Sequence, residues 1–397
     1  MKKKIIFMVI NMNIGGTEKA LLNMISEMPK NQFDITILML EKYGGFLNQI
    51  PSDVKVEYVE EYNEIKDVYN NPPHVAALTY LRKGKVFQAF NILSLYLISK
   101  YLNNRSYLFK HLLKECEVRK EEYDVVVAYA GPMDLISYYV LNKIKAKKKV
   151  QWVHFDVTKI GFNHSFESKL FNQFDKVFVV SKEGRKKLIN LIPSIEDKSE
   201  VFPNIVSKNL IQNQAKEGIG FQDDFDGIRI LTVGRLTQEK GQDIAIRVLA
   251  KLIDAGYNVK WYCVGEGSSR PKYEKLIKEY NLEENFILLG ADPNPYSYID
   301  QCDIYVQPSR HEGYCITLAE ARCLNKPIVT TDFAGAKEQI ISEQTGIIVG
   351  TNEKDIYNAV EKLINNPKLR KKFIDNLSKE KVETEQNVEI NNLVKLI

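Results

Sequence analysis

The sequence has little excess charge and few cysteines. Its 397 residues include 55 basic and 51 acidic side chains, a net charge of +4, which is too balanced to indicate a nucleic-acid-binding protein. The five cysteines are odd in number and form no CxxC pair, so we expect reduced, buried thiols in the cytosol and no disulfide framework. Composition is otherwise that of a globular protein, and the length predicts two domains.

Long hydrophobic runs are also absent, because no uninterrupted apolar stretch is long enough to span a bilayer. The opening MKKKIIFMVI briefly resembles a signal peptide, but the apolar run is short and no cleavage site follows, so we expect a first strand. Residues 86–102 come closest to a membrane segment, although polar residues interrupt them. Their basic flanks favour either a helix on an anionic membrane surface or a helix packed on its own domain. These flanking residues are Arg82, Lys83, Lys85, Arg105 and Lys110.

Short β-branched runs alternate with helical patterns along nearly the whole chain, which is typical of parallel α/β units. The alternation pauses in the polar, turn-rich residues 207–227, which we interpret as a linker. We therefore predict an α/β protein with two doubly wound, Rossmann-like parallel-sheet domains, residues 1–205 and 206–377, facing each other across a cleft. The predicted strands are 4–11, 34–40, 54–59, 124–129, 149–155, 176–181, 228–236, 259–265, 285–290, 303–309, 327–331 and 345–350.

Open parallel sheets bind ligands beyond the carboxyl ends of their strands. The glycine, basic and acidic residues that stand out in the sequence lie at such ends, so we expect them to line the cleft. They are Gly15, Gly16, His154, Arg235, Lys240, Gly265, Gly267 and Glu312.

The segment VGRLTQEKG, residues 233–241, brings two different cations to one strand end. Arg235 offers a planar fork and Lys240 a point charge, a combination suited to a diphosphate whose charge is spread over several oxygens. Taken alone, an arginine and a lysine five positions apart are more often solvated surface residues.

The segment SRHEGYCITLAE, residues 309–320, contains two glutamates separated by seven residues. Glu312 precedes a helix that we expect to begin at residues 316–317, and Glu320 lies in its early turns. A helix dipole favours a glutamate near the N-terminus, which is the purely structural explanation for Glu320. That explanation does not account for Glu312, in a turn already supplied with Gly313.

The start of this helix also predicts an anion site. The backbone N–H groups of Tyr314, Cys315 and Ile316 would point at the same space. Glu312 and Glu320 beside bound phosphates make sense if they accept hydrogen bonds from sugar hydroxyls. A nucleotide-sugar, with a ribose and a hexose on either side of a diphosphate, supplies such hydroxyls.

As a set, Glu-x7-Glu, the upstream GRL and EKG, the VGEG between them and the early GGTEKA resemble the family 4 retaining glycosyltransferases of the GT-B fold. The resemblance covers nearly the whole chain. It implies that Glu312 contacts the transferred sugar and that Glu320 contacts the ribose hydroxyls. It also implies that Arg235 and Lys240 bind the diphosphate.

The same resemblance assigns roles to the first domain, which would bind the acceptor. Gly15 and Gly16 would let its first loop approach the donor closely, and a helix at about 378–397 would pack back on it. His154 would be a catalytic residue facing the donor sugar. A lone histidine is more often a satisfied structural residue, but its place at a strand end favours function.

Other motifs in the sequence suggest rival functions. DFD at 224–226 matches the Asp-x-Asp metal motif, but it lies in the predicted linker, where Asp226-Gly227 is a turn signal. A dehydrogenase motif fails because Arg270 replaces the last glycine of GxGxxG. His311 beside Glu312 has no third metal ligand at suitable spacing. A non-catalytic partner subunit of a glycosyltransferase and a GT-B-like nucleotide-sugar epimerase are the remaining alternatives.

On this resemblance we expect a cytoplasmic enzyme at the inner face of the cell membrane, working in bacterial surface-polysaccharide or capsule biosynthesis. It would transfer a sugar from a nucleoside diphosphate sugar, with UDP as the nucleotide, to a hydroxyl of a glycan or lipid-linked acceptor. We expect retention of anomeric configuration by front-face attack, because we identify no carboxylate nucleophile in the first domain. We expect no metal, no other cofactor and no nucleic-acid partner.

Overall fold

The computed structural model describes residues 2–131, 133–159, 161 and 163–380. This part of the chain forms two parallel sheets, one of seven strands and one of six, with helices on both faces. The central strands are buried on both faces, as in the run Ile5–Val9 of the first strand, because helices cover each side. The predicted α/β architecture of two doubly wound domains is confirmed.

The first sheet has the strand order β3-β2-β1-β4-β5-β6-β7. Its strands and α-helices alternate with two exceptions: only a short 3-10 turn lies between β2 and β3, and four consecutive helices lie between β3 and β4. The elements are β1 (Lys3–Val9), α1 (Gly16–Glu27), β2 (Phe33–Met39), β3 (Lys55–Tyr58), α2 (Tyr62–Asn70), α3 (Pro73–Arg82), α4 (Val86–Tyr101), α5 (Ser106–Leu112), β4 (Glu122–Gly131), α6 (Asp134–Lys143), β5 (Lys145–Val153), α7 (His164–Phe171), β6 (Lys176–Val179), α8 (Lys182–Leu191) and β7 (Ser199–Val201).

The second sheet has the order β10-β9-β8-β11-β12-β13. Its elements are α9 (Lys208–Glu217), β8 (Ile228–Val233), α10 (Gln242–Asp254), β9 (Val259–Val264), α11 (Arg270–Glu279), β10 (Phe286–Gly290), α12 (Tyr296–Gln301), β11 (Ile304–Gln307), α13 (Ile316–Cys323), β12 (Ile328–Thr331), α14 (Ala336–Gln339), β13 (Ile347–Val349), α15 (Glu353–Asn365) and α16 (Pro367–Lys379).

Each sheet reverses its strand order at one place, between β1 and β4 and between β8 and β11. Such switch points open a crevice, because the connections on the two sides leave in opposite directions. The loop after β1 contains Gly15 and Gly16. The loops after β8 and β11 contain Lys240 and Glu312, so the fold brings these predicted site residues to the two crevices.

All twelve predicted strands overlap observed ones, and β7 is an additional strand. β7 has only three residues, Ser199–Val201, and pairs with β6 alone at the sheet edge, so it carries no hydrophobic run. The interpretation of 207–227 as a linker was wrong in part, because α9 lies within it. Ser207 caps α9, and Ile211 and Ala215, four residues apart, bury one face of it.

The two domains touch along the carboxyl ends of their sheets. Ala20 of α1 packs in a hydrophobic cluster with residues of the second domain. On the opposite side of the contact, Glu338 of α14 accepts hydrogen bonds from the backbone N–H groups of Lys182 and Glu183 at the start of α8, at 3.1 and 3.3 Å. The two domains are therefore in contact through both apolar packing and hydrogen bonds. The predicted helix at about 378–397 lies almost wholly outside the described residues.

Candidate active site between the two sheets

A buried ion pair joins the two loops at the second switch point. Lys240 ends a 3-10 turn after β8, and its Nζ lies 2.5 Å from Oε1 of Glu312, in the loop before α13. The two side chains are 18% and 9% exposed. Burial opposes the charge on Lys240, but the nearby Glu312 holds the pKa of Lys240 above its ordinary value. The Lys240 ammonium therefore keeps its charge beside Glu312.

A chain of buried hydrogen bonds orients the Glu312 carboxylate. Ser309 Oγ donates to Glu312 Oε1 at 2.9 Å, and Gln307 Nε2 donates to Ser309 Oγ at 2.8 Å. Tyr305 then donates its hydroxyl to Gln307 Oε1 at 2.8 Å. Each of these three residues is fully buried. Because this series of hydrogen bonds begins in β11, the Glu312 carboxylate has little freedom to rotate.

Helix α13 begins at Ile316, as predicted. Its N-cap residue is Cys315, which has a left-handed backbone (φ 65°) and does not cap the helix with its side chain. The thiol instead lies 3.4 Å from Thr317 Oγ1. The first N–H groups of a helix lack intrahelical partners, so this end of α13 can bind an anion beside the Lys240–Glu312 pair.

Glu320 lies one turn deeper and is 3% exposed. Tyr296 of α12 donates its hydroxyl to Glu320 Oε1 at 2.9 Å. Burial raises the pKa of Glu320 to about 7, with Lys19 and Tyr296 opposing that rise. A carboxyl in this setting accepts hydrogen bonds from neutral hydroxyls readily when it is ionised.

The first domain contributes the loop of Gly15 and Gly16 and the start of α1. A side chain at Gly16 would place its Cβ 3.2 Å from Ile316 Cγ2, so glycine allows α1 and α13 to approach. Burial raises the pKa of Glu18, and Arg235 opposes that rise from across the cleft. Arg235 makes no side-chain hydrogen bond or ion pair with any described residue, so its guanidinium can bind a ligand.

His154 follows β5 and is 6% exposed. Neither ring nitrogen has a hydrogen-bond partner within the described ranges, which is rare for a buried side chain. Burial lowers the pKa of His154 to about 3, against an opposing effect of the Tyr129 backbone. The imidazole is therefore neutral at physiological pH. A Cβ at Gly313 would lie 2.1 Å from the carbonyl oxygen of His154, so the two loops abut.

The predicted site residues therefore converge, although in different ways. Lys240 and Glu312 form a direct contact, and the Arg235 side chain has no hydrogen-bond or ion-pair partner among the described residues. The His154 ring instead packs on Tyr129 and Trp152, and both of its nitrogens are buried without a hydrogen bond. Three polar residues were missed by sequence reasoning: Lys19, Tyr296 and Gln307. Lys19 had a signal, since it stands in GGTEKA where the inner face of α1 should be apolar. No sequence signal identified Tyr296, because it lies in a different segment of the chain from Glu320.

Comparison with known proteins agrees with this geometry. Residues 221–380 match the family model described as glycosyl transferases group 1. The chain is 32% identical over 208 residues to the N-acetylgalactosamine-N,N'-diacetylbacillosaminyl-diphospho-undecaprenol 4-alpha-N-acetylgalactosaminyltransferase of Campylobacter jejuni, a match covering 52% of this chain and 55% of the relative. It is 29% identical over 226 residues to the phosphatidylinositol N-acetylglucosaminyltransferase GPI3 subunit of Saccharomyces cerevisiae, covering 56% and 49%. The chain spans about half the length of these curated relatives.

Solved structures resemble the whole chain. Anabaena Alr3699/HepE in complex with UDP-glucose superposes with a TM-score of 0.71 at 17% identity, covering 99% of this chain and 100% of the other. S. aureus TarM bound to Fondaparinux, alpha-GlcNAc-glycerol and UDP gives 0.66 at 15% identity, covering 98% and 99%. At such identities the likeness shows the fold, which is GT-B.

Proposed function

The second domain of this GT-B chain belongs to the glycosyl transferases group 1 family, and from that premise we propose that the protein is a retaining glycosyltransferase. It moves a sugar from a nucleoside diphosphate sugar, with UDP as the nucleotide, to a hydroxyl of a glycan or lipid-linked acceptor. The observation that carries the proposal is the buried Lys240–Glu312 pair, held at the start of α13 at the second switch point.

The donor lies across the end of α13 in this proposal. Lys240, Arg235 and the N–H groups of residues 314–316 bind its diphosphate, whose negative charge they balance. Glu312 accepts hydrogen bonds from hydroxyls of the transferred sugar. Glu320 does the same for the ribose, and the loop of Gly15 and Gly16 closes over the diphosphate from the first domain.

Transfer then proceeds on one face of the donor sugar. The acceptor oxygen bonds to the anomeric carbon as the bond from that carbon to the diphosphate breaks, and the acceptor's proton passes to the departing phosphate oxygen. Lys240 and Arg235 stabilise the charge that develops there. The neutral imidazole of His154 can donate or accept a hydrogen bond at the sugar, and no metal is needed.

The relatives' names support the class of acceptor. One relative's name includes a diphospho-undecaprenol and the other's a phosphatidylinositol, and both of these are lipids. A lipid-linked intermediate of a bacterial surface polysaccharide or capsule is the acceptor that we propose for this chain.

The test is transfer from a panel of UDP-sugars to lipid-linked acceptors, with and without EDTA, followed by NMR of the product's anomeric configuration. We expect activity in EDTA, a retained configuration, and about a hundredfold loss on Glu312→Gln. Glu353→Gln, in a surface ion pair of the same domain, is the matched control. An inverted product would refute the mechanism. No transfer with any donor, and no thermal stabilisation by UDP, would favour the non-catalytic partner subunit.

The proposed position at the inner face of the membrane rests on α4. This helix turns Ala89 and Ile92 towards the first domain and leaves an apolar stripe on its other face. The buried face agrees with a helix packed on its own domain, and the exposed apolar face supports the proposed contact with a membrane surface. Within the described residues no helix is long and apolar enough to cross a membrane. The most exposed members of the stripe are Phe87 (81%), Phe90 (70%), Leu97 (67%) and Tyr101 (89%).

Charge favours an anionic bilayer as the surface that covers this stripe. Residues 68–114 contain no aspartate or glutamate, although the chain has 51 acidic residues. Each cation near an anionic membrane contributes about 1 kcal/mol, so several acting together are sufficient for reversible binding. The seven basic residues of this segment are Arg82, Lys83, Lys85, Lys100, Arg105, Lys110 and Lys114.

Vesicle co-sedimentation tests this surface. The full chain should bind phosphatidylglycerol vesicles more than phosphatidylcholine vesicles, and Phe87→Gln/Phe90→Gln should lose most of that binding. The control, Ile219→Gln/Ile341→Gln, removes two exposed apolar residues of the second domain (76% and 55% exposed) and should bind normally. Equal binding by both double variants would remove α4 from the proposal.

A further inference from the structure

A lysine and a glutamate from opposite domains both contact Tyr296 at the domain interface. Lys19 comes from α1 and Glu320 from α13, and they are 6% and 3% exposed. Tyr296 links them, since its hydroxyl donates to Glu320 at 2.9 Å while its ring centroid lies 5.1 Å from Lys19 Nζ. Phe46 lies on another side of the ammonium, at 5.4 Å.

This environment leaves the Lys19 ammonium poorly satisfied. It makes no hydrogen bond or close ion pair with any described residue, and two aromatic rings lie against it. Burying a charged group without hydrogen bonds is costly. A binding or positioning role therefore explains a lysine at this position better than a contribution to stability does.

Lys19 affects the ionisation of Glu320. Burial lowers the pKa of Lys19, with Glu320 opposing that shift, and Lys19 in turn opposes the rise in the pKa of Glu320 to about 7. The other titratable groups near Glu320 are the phenols of Tyr296 and Tyr305 and the thiol of Cys323. Burial raises their pKa values, so all three are uncharged at neutral pH. Lys19 is the charged side chain that faces the carboxyl.

We propose that Lys19 is a positioning residue which completes the nucleotide site from the opposite domain by keeping Glu320 ionised and ready to accept the ribose hydroxyls. Lys19 follows the Gly15–Gly16 loop by three residues, on the helix that this loop begins. Docking of the first domain therefore brings the ammonium to Glu320, and nucleotide binding and domain closure become coupled. This inference rests on the proposed function, because it assigns Glu320 to the ribose.

Isothermal titration of UDP into the full chain, at several pH values between about 6 and 9, is the test. The ribose site needs the carboxylate, so affinity should fall as pH falls through the pKa of Glu320. Lys19→Met removes the opposing charge, which moves that fall to higher pH. At pH 7 we expect about tenfold weaker binding, within the usual range of coupling between two sites, with recovery as pH rises. Lys19→Arg, which keeps the charge, should restore the native profile.

A structural role for Lys19 would give a different result. In a Glu320→Gln background, which has no charge to maintain, Lys19→Met should change UDP affinity little. An equal loss in both backgrounds, or a loss independent of pH, would overturn the inference. If the native chain itself fails to bind UDP, the proposed function fails, whereas native binding with an unaltered Lys19→Met profile removes this inference alone.

Discussion

Helices α4 and α13 depart from the ordinary arrangement of side chains in opposite ways. α4 leaves Phe87, Phe90 and Leu97 largely in water, whereas α13 places Glu320 almost wholly out of it. Burying one large apolar side chain contributes about 1.5–3 kcal/mol, and an ion taken from water costs several kcal/mol. Both arrangements are unfavourable in the isolated chain. Each arrangement therefore supports a proposed binding partner of matching chemistry, a lipid surface for α4 and a polar ligand for α13.

The largest expected effect is the loss of activity on removal of Lys240, the cation beside α13. Lys240→Met deletes the group that we propose stabilises the departing diphosphate, and it leaves Glu312 without its cationic partner. We expect kcat for sugar transfer to fall by about 10²–10³. Arg247→Met, which removes a partly exposed partner of Asp243 in the same domain, should keep most of the activity. A Lys240→Met enzyme within about threefold of native kcat would contradict the assignment.

The buried histidine gives a prediction on stability. The pKa of His154 is about 3 in the folded chain and about 6.5 when unfolded, so the unfolded state takes up a proton first as pH falls. Stability contributed by His154 is full above about pH 7 and is lost below, by about 2 kcal/mol between pH 7 and pH 5. Denaturant unfolding at both pH values should show His154→Gln without this loss. His74→Gln, on the exposed side of α3, should keep it. An equal pH slope in native and His154→Gln chains would refute the burial argument.

Gly313 tests whether the site needs both domains. Its Cβ would lie 2.1 Å from the His154 carbonyl oxygen and 3.3 Å from Phe155 Cα, so Gly313→Ala should force the two loops apart. We expect about tenfold lower kcat, in line with the cost of an overpacked contact, and a larger radius of gyration by X-ray scattering. Gly161→Ala, where no atom lies within 4 Å of the added Cβ, is the control. Unchanged activity in Gly313→Ala would show that this contact is dispensable.

The smallest expected effect is a difference in stability between substitutions on the two faces of α4. Ile92 is 2% exposed and Ile98 is 42% exposed on the same helix, which allows the same substitution at both. Ile92→Val should cost about 0.5–1.5 kcal/mol in unfolding free energy, and Ile98→Val less than about 0.5 kcal/mol. Denaturant unfolding measures both. Similar costs would mean that the outer face of α4 is packed in the free protein.

Sequence reasoning reached much of this site because its signals are local. The strand runs carry their own hydrophobic pattern, and Glu312, Glu320, Arg235 and Lys240 stand in short segments with recognisable spacing. Sequence reasoning missed a very short strand and a residue that is distant in the chain from its partner. β7 lacks a hydrophobic run, and Tyr296 meets Glu320 only through the packing of α12 on α13.

The sequence by itself determined the alternation of strands and helices, and hence two parallel sheets whose strand ends collect the polar residues. These follow from periodicity and turn chemistry, which act between near neighbours in the chain. Only the tertiary structure decided which charges are buried and paired. Lys19 comes near Glu320 across some three hundred residues because the two domains pack together. Lys240 meets Glu312 because β8 and β11 are neighbours in the second sheet. Burial depends on everything that packs around a group, so no local pattern encodes it.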